Sequence, residues 1–340
     1  MKIRTYIATL LISVGLLFSV GFAQEPGDGV TVRPGVATWE SARPVEAIYA
    51  NMLSALGYDV EDPSSLDNPI FYQALSQGDV DYWANGWFPL HNAQLPANFD
   101  ETAQIAGTVV EGGALQGYLV DRATAEELEI TSLEDFKRDE VKEAFDSDGD
   151  GKADLVACPA GWGCEVVIEH HLDAYDLRDH INPIKAAYAA SFADALARYN
   201  NDESILYYTW TPNFTVFELA PGEDVVWINV PEIMPTEDQA DLVDAMTVSG
   251  LEGAVSDPLD MGFVANDIDV VANNAFLEAN PAAAALFASA SIPLEDISAM
   301  TARINEGEDS DDDVAAMAAE WVSNNQETVD GWLEEARAAN

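Results

Sequence analysis

The sequence predicts an α/β protein built from sheets covered by helices, and three observations predict it. Strand-like and helix-like segments alternate along most of the chain, which gives parallel or mixed sheets with helices on both faces. The 340 residues are enough for two domains at about 150 residues each. Hydrophobic residues make up 48% of the chain, so a packed core is expected even at a formal net charge of −47.

Residues 1–23 hold Lys2 and Arg4, then an apolar run from Tyr6 to Phe22, then Ala23. A charged start, an apolar centre and small residues at the end read as an export signal, cleaved after Ala23. Val30–Thr38 reads as a strand. Val45, Ile48, Tyr49, Met52, Leu53 and Leu56 fall on one face of a helix. Gly57 ends that helix, and Tyr58–Val60 is extended again, completing a β-α-β unit. A helix over Pro69–Ser76 and strands over Val80–Asn85 and Ala114–Val120 follow. The next elements are a helix over Ala123–Leu128 and another over Glu165–Tyr175, with Ile168, Leu172 and Tyr175 on one face. Ile205–Thr209 and Val225–Val230 read as buried strands. The tail is helical, including Pro281–Ala288 and Val314–Asn325. Beyond the export signal, no stretch is long and apolar enough to span a bilayer.

The charge narrows the function. With 14 Lys and Arg against 61 Asp and Glu, the surface repels phosphate backbones, so no nucleic-acid partner is expected. The same imbalance argues against docking on anionic lipid. Removing Lys2 and Arg4 takes 14 cationic residues to 12 and the net charge from −47 to −49. The carboxylates are spread along the chain, which suits a protein exposed to brine from a salt-loving source.

Three tryptophans share one setting. Trp87, Trp162 and Trp210 each sit near Gly or Pro, where a strand hands over to a loop, and Trp227 lies inside a strand as a core residue does. Strand-end loops carry ligand contacts in α/β folds. Converging indoles suit a quaternary ammonium, at ~2 kcal/mol or more for each desolvated face. Core packing and sugar stacking are the alternatives. Gly163 and Cys164 precede the Glu165–Tyr175 helix, and free amides at a helix start bind anions. His91, four residues after Trp87, is placed to donate to the same anion, or it is a satisfied loop histidine. A zwitterion with a short spacer fits this set.

Cys158 and Cys164 form an even pair with a small, turn-rich loop between them, which suggests one disulfide in an oxidising compartment. Two free thiols, or half of a zinc site, are the other readings. Asp146, Asp148, Asp150 and Asp154, with Gly151 between, follow a calcium loop up to position 12, where Ala157 replaces the bidentate Glu. They form a calcium-site candidate; a polar Asx-turn loop is the plainer reading. Glu169-His170-His171 is not a metal motif, because adjacent residues do not share a helix face.

These segments resemble a known family. Trp87-Phe88-Pro89-Leu90-His91, Asp148 to Leu155, Gly161-Trp162-Gly163-Cys164-Glu165, Tyr207 to Pro212 and Asn280-Pro281-Ala282-Ala283-Ala284 are similar to the periplasmic glycine betaine/proline betaine-binding proteins of ABC importers. The resemblance runs from about Pro34 to the C-terminus and is weakest between about Glu232 and Met261. It implies a two-lobed periplasmic-binding-protein fold of type II, each lobe a mixed sheet flanked by helices, with ligand in the cleft. Lobe 1 is expected over 24–112 plus 229–340, and lobe 2 over 113–228. It implies a tryptophan box of Trp87, Trp162 and Trp210. It also implies a carboxylate held by His91 and the amides of Gly163 and Cys164, and a Cys158–Cys164 disulfide. Phe88 departs from the smaller polar residue common there and affects only the rim. No cofactor is implied. The expected partners are the betaine and an ABC permease with its cytoplasmic ATPase, the protein being a periplasmic monomer and not an enzyme.

Two other readings stay open. One keeps the receptor and changes the ligand to choline, carnitine or another quaternary amine. The other is an exported thiol hydrolase with Cys164 as nucleophile and His91 as base, which requires Cys164 free. The charge itself is testable. Salt relieves self-repulsion, so the melting temperature is expected to climb steeply from low to molar salt. A flat profile by calorimetry contradicts the brine reading.

Overall fold

The computed structural model describes residues 24–340, so the export signal expected over 1–23 lies outside it. Two sheets organise the chain. A three-stranded antiparallel sheet has Asn266–Asn273 at its centre, flanked by Tyr82–Phe88 and Ala103–Ala114. A five-stranded mixed sheet runs in the order Val225–Ile228, Gln116–Asp121, Leu206–Trp210, Ala153–Val156 and Ile181–Ile184. Its first three strands are antiparallel neighbours, and its last three are parallel. Every strand of the five-stranded sheet falls within residues 116–228. The chain therefore passes from one sheet to the other at Leu115 and returns after Ile228.

Helix Ala42–Ala55 buries Val45, Ile48, Tyr49, Met52 and Leu53, the face its periodicity predicts. It is packed by helix Asp311–Asn324, and Arg43 pairs with Asp311 at 3.0 Å. Gly57 follows with φ +88°, the left-handed conformation that only glycine adopts freely. Gly262 has the same requirement, at φ +71°, on the segment that returns to the three-stranded sheet. A side chain there would meet the buried His171 ring at 2.9 Å, so the returning segment packs directly on helix Gly163–Ala174.

Several elements differ from the sequence expectation. The Val30–Thr38 strand is two short pieces, Thr31–Val32 and Gly35–Val36, because Pro34 has no N–H to continue a ladder. The strand expected over Ala114–Val120 breaks at Leu115. Ala103–Ala114 is a separate strand with little alternation and three glycines, absent from the sequence expectation. Trp87 lies inside strand Tyr82–Phe88, not beyond its end. Gly163 and Cys164 are the first residues of their helix, not residues before it.

One buried carboxyl sits on the core face of the first helix. Glu46 is 3% exposed, takes the Tyr82 hydroxyl on Oε1 at 2.5 Å and has no partner on Oε2. Burial pushes its carboxyl from 4.5 up to about 8. The folded value lies above the unfolded one. Its favourable contribution is therefore complete below pH 4.5 and is lost as pH rises towards 8. Glu46→Gln should melt higher than wild type by a margin that grows between about pH 5 and 8 and then levels. A margin constant across that range, by thermal melting at fixed salt, contradicts the assignment.

Candidate functional site

All six residues singled out in the sequence line one cavity: Trp87, His91, Trp162, Gly163, Cys164 and Trp210. Trp39, Leu90, Gln116 and Tyr208 complete the wall. Trp87 comes from the three-stranded sheet and Trp210 from the end of a strand in the five-stranded sheet. Trp162 caps helix Gly163–Ala174 with an extended backbone. The Trp162 ring meets Trp39 at 5.3 Å and 71°, and Trp210 at 5.5 Å and 83°, both edge to face.

Three of the four indole N–H groups are tied down. Asn85 Oδ1 accepts from Trp39 Nε1 at 2.8 Å and from Trp87 Nε1 at 3.1 Å. Trp162 Nε1 donates to Thr38 Oγ1 at 2.8 Å, and Thr38 donates onward to Asp67 at 3.3 Å. These bonds orient the ring faces and leave them free of polar atoms, which suits a cation without hydrogen-bond donors.

The Cys158–Cys164 disulfide closes the loop that carries Trp162, with Cα atoms 5.9 Å apart. It leaves Cys164 without the free thiol that the hydrolase reading needs. Within the loop, Gly161 N–H donates to Glu165 Oε2 at 3.0 Å and Gly161 O accepts from Gln94 at 3.2 Å. The amides of Gly163 and Cys164 stand in the first turn, where no intrahelical acceptor exists. A Cβ at Gly163 would lie 3.0 Å from both His91 Cδ2 and Leu90 Cγ, so the helix start presses on the turn after Trp87.

His91 is 2% exposed, and burial lowers it to about 3, so its ring is neutral. Nδ1 accepts from the Trp87 main-chain N–H at 3.1 Å and has the Tyr72 hydroxyl at 2.8 Å. The proton of the neutral ring is therefore on Nε2, which lies 2.9 Å from the Asn68 amide nitrogen, itself a donor. The Asn68 nitrogen cannot accept that proton, so the Nε2–H is left for another acceptor, and an anion there meets no imidazolium.

The calcium-loop residues are hydrogen-bonded internally. Carboxylate oxygens of Asp146, Asp148 and Asp154 lie within 4.8 Å of one another, and Asp150 is not among them. Asp150 Oδ1 accepts from Lys152 N at 2.9 Å. Asp146 accepts from the amides of Gly149, Asp150 and Gly151, and Asp154 from Ser147. This is the geometry of an Asx-turn loop. Glu169, His170 and His171 point apart, to Lys185 and Arg178, to Met234 O, and to Tyr118.

Sequence reasoning missed Trp39, Gln116 and Tyr208. Trp39 carries the same signal as the other three, an indole just after a strand piece. Gln116 carries none.

The chain matches the model of the OpuAC family, the substrate-binding domain of ABC-type glycine betaine transport systems, over residues 30–324. It is 37% identical over 341 residues to the glycine betaine-binding periplasmic protein OusX of Dickeya dadantii, covering 99% of this chain and 98% of that protein. It is 37% identical over 318 residues to the glycine betaine/proline betaine-binding periplasmic protein of Escherichia coli, covering 93% of each. Lactococcal OpuAC, solved closed with glycine betaine, superposes with a TM-score of 0.67 at 18% identity, covering 89% of this chain and 99% of that one. That likeness carries the fold, the two-lobed type II binding-protein architecture.

The Thr38 contact can be tested directly. Thr38→Val keeps the shape and leaves the Trp162 N–H without an acceptor, at ~1–3 kcal/mol. A lower melting temperature is expected for Thr38→Val, with Thr38→Ser close to wild type. Melting temperatures equal for all three contradict the contact.

Proposed function

The chain belongs to the family of substrate-binding domains of ABC-type glycine betaine transport systems, and from that premise we propose that it captures glycine betaine or proline betaine and delivers it to an ABC importer. The observation that carries this is the cavity that unites three indoles, two first-turn amides and a neutral histidine. The trimethylammonium group sits against Trp87, Trp162 and Trp210. The carboxylate takes the amides of Gly163 and Cys164 and the Nε2–H of His91. Three cation–π faces at ~2 kcal/mol supply a large share of the ~8 kcal/mol of a micromolar complex.

The cavity draws residues from both sheets, which supports a clamshell of lobes over 24–112 plus 229–340 and over 113–228. Closure on ligand makes the surface that a permease reads. In this reading the protein acts in the periplasm as a monomer after cleavage near Ala23, catalyses no reaction, and serves a permease with a cytoplasmic ATPase. Choline is the poorer ligand. Without a carboxylate it leaves buried donors unpaired at ~1–3 kcal/mol each.

Tryptophan fluorescence at high salt, titrated with glycine betaine, choline and proline, tests the reading. A saturable response to betaine at micromolar levels, with little from proline, is expected. Trp162→Ala should weaken betaine at least tenfold. A loss under twofold contradicts the box, and no response to any quaternary amine overturns the ligand class.

A further inference from the structure

Two N–H donors on the cavity wall have no acceptor. Gln116 opens strand Gln116–Asp121 and is the cross-strand partner of Trp210, so both side chains stand on one face of the five-stranded sheet. Both line the cavity. Gln116 is 1% exposed and Trp210 3%, and neither Gln116 Nε2 nor Trp210 Nε1 has a partner. The carboxamide is oriented by Tyr208, whose hydroxyl donates to Gln116 Oε1 at 2.7 Å. Tyr208 is held in turn, since its main-chain carbonyl accepts from the Tyr188 hydroxyl at 2.7 Å. The oxygen of Gln116 is thereby committed to Tyr208 and its nitrogen is left for the cavity.

Such a donor is costly unless something in the cavity accepts from it. Methyl groups on a quaternary nitrogen carry partial positive charge and are repelled by N–H hydrogens. Aromatic faces take the cation, and an N–H takes an oxygen. Resting on the betaine reading above, we propose that Gln116 contacts the ligand directly. It donates its Nε2–H to an anionic oxygen of the bound zwitterion, and so selects carboxylate-bearing quaternary ammonium compounds over cations that lack one. Trp210 Nε1 lies on the same wall, so its edge favours the oxygen end of the ligand while its face serves the cation.

The test exchanges the donor for a charge. Gln116→Glu keeps the shape and turns an N–H donor into a carboxylate facing the ligand's carboxylate. At pH 8 it should bind glycine betaine at least tenfold more weakly than wild type. It should bind tetramethylammonium more tightly than wild type, a gain that misfolding cannot produce. Lowering the pH to 5 should restore part of the betaine affinity as the new carboxyl protonates and donates. The other titratable groups of this wall stay silent over that range. Burial holds His91 at about 3 and the Tyr208 and Tyr188 hydroxyls above their ordinary value. Glu40, which faces Tyr188, is present in both proteins, so the wild-type profile serves as the control. Gln116→Leu, which removes the donor without adding charge, should lose betaine affinity and keep tetramethylammonium affinity. Affinity for betaine within twofold of wild type in both variants overturns the proposal, as does an equal loss of both ligands. Wild type that binds neither ligand instead overturns the receptor reading on which the proposal rests.

Discussion

The site depends on one close approach, that of helix Gly163–Ala174 to the turn after Trp87. A side chain at Gly163 would crowd His91 and Leu90, each 3.0 Å from its Cβ. That approach brings two unpaired amides beside a neutral imidazole and sets Trp162 across from Trp87. Other features serve it. The disulfide and the Glu165 carboxylate shape the loop before the helix. Thr38 and Asn85 fix the indoles through their N–H edges. Trp87 N–H selects the histidine tautomer that leaves a donor at Nε2.

In the proposed reading the site holds an anion without a cationic side chain. Among the described residues no Lys or Arg lines the cavity, and His91 is neutral. Donors of this kind satisfy oxygen lone pairs without cancelling a charge, so a simple carboxylate would enter a buried site unneutralised, at high cost. A simple cation would leave the donors unpaired. Only a ligand that brings both charges meets both walls. The protein's large negative charge does not interfere, because a molecule with no net charge feels its long-range field weakly.

The fold and the site were legible to different depths. Amphipathic helices were plain in the sequence, since Val45 to Leu56 repeats every three or four residues and packs as it repeats. Strand Ala103–Ala114 was not, because it alternates weakly, contains Gly107, Gly112 and Gly113, and pairs with Asn266–Asn273, far away in sequence. Trp87, Trp162 and Trp210 were legible as strand-end indoles even though strand Tyr82–Phe88 runs past the expected boundary. The tautomer of His91 was not legible, because it is set by a main-chain N–H and by Tyr72, nineteen residues away. Gln116 was silent for the same reason. A glutamine at a strand start acquires meaning only when Tyr208 takes its oxygen.

The bonds between the two halves of the chain bear on the acidic surface. Among the described residues, no ion pair joins residues 116–228 to the rest, although Arg178, Lys185, Arg303 and Arg337 all find carboxylates close by on their own side. The hydrogen bonds that cross have at least one neutral partner, among them Trp162 to Thr38, Gln94 to Gly161 O, Tyr175 to Glu232 O, and Asn305 to Glu218. Ion pairs weaken as salt shortens the screening length, from ~10 Å at 0.1 M to ~3 Å at 1 M. Neutral hydrogen bonds and apolar contacts do not weaken in this way, and salting-out ions strengthen apolar burial. Two acidic halves repel each other at low salt, and brine removes that repulsion without loosening what holds them together. In the proposed clamshell, the same surface that opposes closure in dilute solution therefore permits it in brine.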